Sequence, residues 1–204
     1  MRILTVFGTR PEAIKMAPVI RSAREAGIDT CVCVTAQHRG MLDQVMEVFG
    51  LKADFDLDLM KEDQSPVSVA ARIFETLGPV LVSARPDWLL VQGDTTTTLA
   101  ASLAAYYHHV PVGHIEAGLR TGKKNDPFPE EVNRRLATHL SDFHFAPTEV
   151  ARHNLLVEGV DPENILVTGN TVVDALLIAQ ARLIDEPGLA VDGLGATNRD
   201  SHVR

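Results

Sequence analysis

Short apolar runs alternate with longer segments in which apolar residues recur at helical spacing, along most of the chain. Most of the runs are apolar at nearly every position, which is typical of strands buried on both faces of a parallel sheet. The pattern predicts strands at residues 2–7, 28–35, 54–59, 88–92, 112–115, 142–145 and 165–168. Because strands and helices alternate in this way, we predict an α/β fold whose Rossmann-like parallel sheet carries helices on both faces.

The predicted helices carry recognisable start and stop signals. Pro11 suits the first turn of the helix after the first strand, and Pro18 is expected to bend or restart that helix because proline cannot donate a backbone hydrogen bond. Ser65 is expected to cap the helix that follows the third strand. We expect Gly78 and Pro79 to interrupt that helix before it resumes.

The chain of 204 residues is long enough for one domain with a substantial core. Helix and strand signals extend over residues 1–184, which we interpret as that domain. From residue 185 the sequence is rich in glycine and has few bulky side chains. Residues 185–204 are therefore predicted to be a linker or a disordered tail.

Two carboxylates follow two consecutive strands near the middle of the chain. Asp94 comes shortly after the strand at residues 88–92, and Glu116 comes directly after the strand at residues 112–115. Ligands of open parallel sheets bind outside the carboxyl ends of the strands, so we expect both side chains to face the ligand crevice. Asp94 has an alternative role as a helix cap, which is the commoner use of Asp at such a turn. Glu116 is harder to explain as a turn residue, because Asn, Asp or Gly would be more typical there.

Further polar side chains follow the other strands. Arg10 and Lys15 fall on the first turns of the first helix, whose free N–H groups and positive dipole end favour an anion such as a diphosphate. The alternative is a solvated helix start carrying two ordinary cations. Gln37 and His38 follow the second strand, and Asn170 lies in the turn after the last one. A histidine in a loop is more often solvated, but its place at the crevice edge predicts a substrate contact.

Two acids begin the helix predicted at residues 129–140. Glu130 and Glu131 would lie at its positive end, and each has an arginine four residues further on. The pairs of Glu130 with Arg134 and of Glu131 with Arg135 would each contribute only about 0.2 to 0.5 kcal/mol on an exposed face. Surface pairing is therefore the alternative to a role in the crevice.

Composition excludes several classes of function. The net charge of −8 argues against a general nucleic-acid or anionic-membrane surface, which needs clustered Lys and Arg. Cys31 and Cys33 form no CxxC pair and no cluster with histidine, so we expect a cytoplasmic protein without a structural metal. Because Met1 leads straight into the first strand and no apolar run reaches transmembrane length, we expect no signal peptide and no membrane insertion.

Four blocks of the sequence resemble the non-hydrolysing UDP-N-acetylglucosamine 2-epimerases. They are FGTRPEAIKMAP at residues 7–18, GDTTTT at residues 93–98, GHIEAGLRT at residues 113–121 and PEEVNR at residues 129–134. The resemblance is collinear and runs from the first residue to about residue 175, so four coinciding blocks are a specific signal.

The resemblance implies an enzyme of GT-B type, built from two Rossmann-like domains, of which this chain matches the first. It implies that the enzyme interconverts UDP-N-acetylglucosamine and UDP-N-acetylmannosamine, which supply precursors of cell-envelope polysaccharide. It also implies a homodimer that needs no cofactor. The chain is expected to have no counterpart of the second, UDP-holding domain, and so to be impaired or inactive alone. Two alternatives stay open: a non-catalytic binding or assembly module derived from the epimerase, and a GT-B glycosyltransferase domain.

Roles carried over from the family fall on the candidates found above. Asp94, Glu116 and Glu130 match the family's acid/base carboxylates, without a decision as to which one removes the proton. Arg10 and Lys15 match residues near the diphosphate, and Arg134 closes the last block as a further substrate contact.

Gln37 and His38 correspond to a neighbouring site at which UDP-N-acetylglucosamine activates bacterial relatives. The chain departs from some relatives near this site. It has Gly40 and Asp63 where those relatives place a glutamine and an arginine.

Overall fold

The computed structural model describes residues 1–35, 39–59 and 64–185. In this part of the chain one seven-stranded sheet has the order β3-β2-β1-β4-β5-β6-β7, and every neighbouring pair is parallel. The strands are β1 (Arg2–Phe7), β2 (Asp29–Val34), β3 (Phe55–Asp56), β4 (Trp88–Gln92), β5 (Val112–Ile115), β6 (Phe143–Ala146) and β7 (Ile165–Val167). The predicted Rossmann-like parallel sheet is confirmed.

Helices connect the strands and cover both faces of the sheet. They are α1 (Arg10–Glu25), α2 (Arg39–Val48), α3 (Pro66–Ala84), α4 (Thr96–Tyr107), α5 (Glu130–Leu140), α6 (Glu149–Val157) and α7 (Val172–Asp185), with a 3₁₀ turn at Pro162–Asn164. One core cluster joins α3 and α4 to the sheet, and a second joins α1 and α2 to its other face.

Alternate residues of β1 supply the two clusters. In β1, Leu4 and Val6 pack into the cluster under α3 and α4, whereas Ile3 and Phe7 pack into the cluster under α1 and α2. Successive side chains of a strand point to opposite faces, so a strand covered on both sides must be apolar at almost every position. This explains the continuous apolar runs in the sequence.

Two helices continue through the prolines that were expected to break them. α1 is continuous through Pro18, and α3 is continuous through Pro79. Proline removes one backbone donor, but the apolar stripe of α3, including Ile73 and Leu77, is fully buried and stabilises the helix on both sides of Pro79. Gly78 marks a close contact, because a Cβ there would lie 3.3 Å from the His108 ring. The predicted interruption of α3 and a restart of α1 at Pro18 are therefore wrong, whereas a bend of α1 at Pro18 stays a prediction.

Two further expectations need correction. The third strand covers only Phe55–Asp56, much less than residues 54–59, and β3 lies at the edge of the sheet, where strands are often short. Among the described residues, α3 is long and apolar enough to cross a membrane by length and composition. That is weak evidence, because the core helix of a soluble protein passes the same test, and α3 supplies Val69, Ile73 and Leu77 to the core.

The strand order places a topological switch point between β1 and β4. From β1 the chain proceeds outward to β2 and β3, and it then returns to the other side of β1 to form β4. The turns that follow β1 and β4 therefore diverge above the sheet and leave a crevice between them. Ligands of doubly wound folds bind at this position.

Candidate active site

A cavity of about 530 Å³ lies at the carboxyl ends of β1, β4 and β5. Its walls are formed by Thr9, Pro11, Glu12, Lys15, Gln92, Gly93, Asp94, Thr95, Glu116, Leu119 and Arg134. Four of the residues predicted from the sequence, Lys15, Asp94, Glu116 and Arg134, are thus brought together. The cavity is within the range of small-molecule sites, and we refer to it as the cleft.

Glu116 is held in an unusual backbone conformation at the end of β5. Its φ angle of +64° lies in the left-handed region, which is uncommon for a residue other than glycine. The carboxylate accepts hydrogen bonds from Lys15 Nζ at 2.5 Å, from Asn170 Nδ2 at 2.9 Å and from Gln92 Nε2. Backbone in sparsely populated conformations clusters at functional sites. It persists only where surrounding contacts, such as those of the Glu116 carboxylate, hold the residue in place.

Asp94 also lines the cleft and pairs with Arg134. Its backbone carbonyl accepts a hydrogen bond from Asn133 Nδ2 at 2.9 Å, so residues of α5 contact both the backbone and the carboxylate of Asp94. Burial raises the pKa of Asp94, against the opposing effect of Arg134, and the negative charges of Glu130 and Glu116 add to the rise. Asp94 is thereby suited to proton transfer closer to neutral pH than an ordinary aspartate.

The alternative role of Asp94 as a helix cap is wrong. Thr95 is the N-cap of α4, and its hydroxyl oxygen accepts a hydrogen bond from the Thr98 backbone N–H at 3.1 Å. The carboxylate of Asp94 is left to pair with Arg134. Capping of α4 and pairing with Arg134 therefore belong to two adjacent residues, Thr95 and Asp94.

A buried histidine supports the turn before Asp94. His114 Nε2 lies 2.7 Å from the carbonyl oxygen of Gly93, which can only accept, so Nε2 carries the proton. Burial lowers the pKa of His114 to about 4, so the ring is neutral at physiological pH. Its Nδ1 atom has no hydrogen-bond partner within the described residues. Gly93 itself needs the left-handed φ angle of +74° that glycine adopts at no steric cost.

The remaining predicted site residues lie outside the cleft wall. Glu130 is the first residue of α5 and is half-buried, and its charge acts on Asp94 from outside the wall. Arg10 is exposed and lines a neighbouring apolar groove of about 490 Å³ between α1, α2 and α7. Lys15 lines this groove as well and also contacts Glu116, and the anion pocket of Arg10 and Lys15 stays a prediction. Gln37 and His38 lie outside the described residues.

The predicted ion pairs within α5 differ from those observed. Arg134 contacts Asp94 and, at 3.6 Å, Glu131, and Arg135 contacts Glu158 at 3.5 Å. The first turn of α5 faces inward, so Glu131 is fully buried and accepts hydrogen bonds from the loop that follows β5. Although burial opposes the effect, these hydrogen bonds lower the pKa of Glu131. An exposed face with i, i+4 pairs was therefore the wrong interpretation.

Several residues of the site were not predicted from the sequence. Glu12 lines the cleft and forms a capping box with Thr9, a signal that the Thr-x-x-Glu spacing carries. Asn170 was placed near the crevice, but its contact with Glu116 was not foreseen. Gln92 and Asn133 gave no signal, because each acts through a partner distant in sequence. The described residues contain no group of three or more His, Cys, Asp or Glu that could hold a metal ion.

Comparison with known proteins points to one family. A family model described as UDP-N-acetylglucosamine 2-epimerase matches residues 21–194. A UDP-N-acetylglucosamine 2-epimerase of Yersinia pestis is 56% identical over 190 residues, which are 93% of this chain and 50% of the relative. The solved structure of a Neisseria meningitidis UDP-GlcNAc 2-epimerase bound to UDP-GlcNAc superposes with a TM-score of 0.87 at 56% identity, covering 90% of this chain and 50% of that one.

A more distant neighbour shares the fold alone. A lipopolysaccharide outer core galactosyltransferase superposes with a TM-score of 0.60 at 15% identity, over 83% of this chain and 46% of that one. The architecture is thus that of one half of a GT-B-type protein. The chain spans about half the length of the curated relatives that it matches.

Proposed function

Because the chain belongs to the UDP-N-acetylglucosamine 2-epimerase family, we propose that its cleft is the sugar-binding half of an epimerase active site. The observation that carries the proposal is that Asp94 and Glu116, from the exits of two adjacent strands, line one cavity and are each paired with a cation. The Neisseria relative was solved with UDP-GlcNAc bound, which supports a UDP-sugar as the substrate class.

The proposed reaction interconverts UDP-N-acetylglucosamine and UDP-N-acetylmannosamine. Carbon 2 of the sugar is not next to a carbonyl, so its proton cannot leave through a simple enolate. A base removes that proton, the C–H electrons form the double bond between carbons 1 and 2, and the bond from carbon 1 to UDP breaks. UDP then adds back to carbon 1 while an acid delivers a proton to the opposite face of carbon 2.

Such a route requires at least one base, one acid and fixed charges around the departing diphosphate. We assign the proton transfers to Asp94 and Glu116, which line the cleft, with Glu130 at the start of α5 as the third carboxylate. Because one of these groups must hold a proton while another accepts one, the raised pKa of Asp94 supports this assignment.

Lys15 and Arg134 are the cationic side chains of the cleft that would bind the diphosphate. Arg10 lies at the start of the helix that carries Lys15. Residues 1–184 would form the sugar-binding domain, and residues 185–204 would connect it to the portion that corresponds to the other half of the relatives. We retain Gln37 and His38 as predicted contacts of a second UDP-sugar.

We further propose a cytoplasmic homodimer. Cys31 and Cys33 are free thiols, which is usual in a reducing compartment. An apolar groove of about 370 Å³ between α3, α4 and α5 is a candidate for the dimer contact. Its apolar lining residues include Phe74, Leu99, Leu103, Leu136 and Leu140.

Deuterium exchange at carbon 2 tests the proposed reaction. The chain is incubated in D₂O with UDP-N-acetylglucosamine, alone and together with the carboxyl-terminal half of the Yersinia pestis relative, and the sugar is followed by NMR. We expect incorporation of deuterium when both halves are present, and its loss in Glu116→Gln. Failure of the complemented wild-type chain to exchange would contradict the proposal, and sugar transfer that persists in Glu116→Gln would favour a glycosyltransferase.

A further inference from the structure

The cleft wall contains a buried carboxylate that the proposed chemistry does not use. Glu12 is only 2% exposed and lies in the first turn of α1. Isolated buried carboxylates are costly, so the contacts of Glu12 must offset the loss of hydration. Those contacts come from two separate helix starts.

One carboxylate oxygen takes the donors of the turn between β1 and α1. Oε2 of Glu12 accepts hydrogen bonds from the backbone N–H of Gly8 at 3.0 Å, the backbone N–H of Thr9 at 2.7 Å and the Thr9 hydroxyl at 2.8 Å. Backbone N–H groups can only donate, so this oxygen acts as an acceptor for all three.

The other carboxylate oxygen reaches the start of α4. Oε1 of Glu12 accepts a hydrogen bond from the Thr95 hydroxyl at 2.6 Å. That hydroxyl has one proton, which it gives to Glu12, and its oxygen accepts the Thr98 backbone N–H at 3.1 Å. The positive ends of α1 and α4 therefore converge on the same carboxylate. Helix dipoles stabilise an anion at such positions.

The place that Glu12 occupies is where nucleotide-binding members of this architecture hold phosphate. In Rossmann folds the turn after the first strand presents its N–H groups, and the start of the next helix, to the pyrophosphate of a dinucleotide. Here that turn consists of Gly8 and Thr9. A Cβ on Gly8 would lie 2.0 Å from Thr35 Oγ1, so this glycine accommodates Thr35 and leaves no gap for a ligand.

We propose that Glu12 is a specificity-determining residue. Its internal carboxylate occupies the anion-binding position of the first βα turn and excludes phosphate groups from that position. The diphosphate of a UDP-sugar must then be held by side chains such as Lys15 and Arg134 and by the other half of the protein. That consequence rests on the proposed function, whereas the exclusion of phosphate rests on the contacts of Glu12 alone.

A titration with inorganic pyrophosphate tests the exclusion without any UDP-sugar. In the wild-type chain we expect the amide NMR resonance of Gly8, which unlike Thr9 does not line the cleft, to stay in place as pyrophosphate is added. In Glu12→Ala we expect this resonance to move, and pyrophosphate to bind at least about tenfold more tightly than to the wild type. Formate, which resembles the missing carboxylate, should raise the urea midpoint of Glu12→Ala more than chloride does at the same ionic strength.

Glu149→Ala is the matched control. Glu149 is also in the first turn of a helix that a threonine caps, but it is exposed. Its removal should leave both the pyrophosphate titration and the response to formate as in the wild type.

Two results would overturn the inference. One is movement of the Gly8 resonance in the wild-type chain, a measurement that decides the matter even if Glu12→Ala does not fold. The other is a folded Glu12→Ala whose Gly8 resonance and midpoint respond to pyrophosphate and formate no more than those of the wild type. A chain that fails to exchange deuterium in the presence of the complementing half but gives the expected titrations would refute the proposed function and leave the role of Glu12 intact.

Discussion

Two arginine–carboxylate pairs of similar burial involve residues of α5 and differ in how completely their hydrogen-bonding groups are satisfied. Arg120 and Glu158 form one pair, with side-chain exposures of 8% and 18%, and Arg134 and Asp94 form the other, with exposures of 11% and 28%. Arg120 makes two parallel hydrogen bonds to Glu158, at 2.9 and 2.6 Å, and donates further to Thr138 and to the backbone of Leu119.

The pair in the cleft leaves part of its bonding capacity unused. The Nε atom of Arg134 is buried and has no hydrogen-bond partner within the described residues. Hydrogen bonds from Arg120 lower the pKa of Glu158, whereas burial raises the pKa of Asp94. All three nitrogens of Arg120 thus donate hydrogen bonds, whereas the arginine that pairs with the proposed proton-transfer group Asp94 has one nitrogen without a partner within the described residues.

Matched amide substitutions should separate the roles of the two pairs, and we expect them to have larger effects on activity and stability than the other changes considered below. Asp94→Asn should lower exchange at carbon 2 between about a hundredfold and about ten-thousandfold, because it removes a proton-transfer group. Glu158→Gln should leave exchange nearly unchanged but lower the free energy of unfolding by about 1.5 to 3 kcal/mol, since it weakens charged hydrogen bonds. Exchange with the complementing half and urea unfolding of the chain measure the two effects. Equal losses of activity in both variants would remove the distinction between the pairs.

The position of the acids in the cleft was predictable because it depends on topology. Asp94 and Glu116 follow buried strands, and parallel strands bring all their carboxyl ends to one edge of the sheet. The apolar runs identify those strands without any knowledge of tertiary contacts. Fold class and candidate acids therefore follow from local sequence and a general rule.

The partners of those acids were not predictable, because they depend on how helices pack. Spacing within α5 predicts that Arg134 pairs with Glu130, whereas the packed helix turns Arg134 toward Asp94, forty residues earlier in the chain. Arg135 likewise reaches Glu158 on the following helix. Local spacing identifies neighbours on one helix, but it cannot say which side of the helix is buried.

The two acids should also give opposite contributions to the pH dependence of stability. Glu158 has a folded pKa below its ordinary 4.5, so its stabilising contribution is present above that value and is lost as pH falls through the folded pKa. Asp94 has a folded pKa above its ordinary 3.8, so its contribution declines as pH rises from that value through the folded pKa.

Urea unfolding between about pH 3 and pH 7 measures both slopes. Glu158→Gln should flatten the gain in stability that accompanies rising pH, and Asp94→Asn should remove a decline. If both variants changed the dependence of unfolding free energy on pH in the same direction, the pKa values of Glu158 and Asp94 would not be shifted in opposite directions.

Conservative exchange of the arginines should give the smallest effect. Arg120→Lys replaces a planar group that makes two parallel bonds by a single ammonium, so the free energy of unfolding should fall by about 1 kcal/mol. Arg134→Lys should lower it by about half as much or less, because Nε of Arg134 has no partner within the described residues and a lysine keeps a positive charge near Asp94. Urea unfolding of the two variants under identical conditions gives the comparison directly. If Arg134→Lys were the more destabilising of the two, the cleft pair would be as much a structural clamp as the pair beside it.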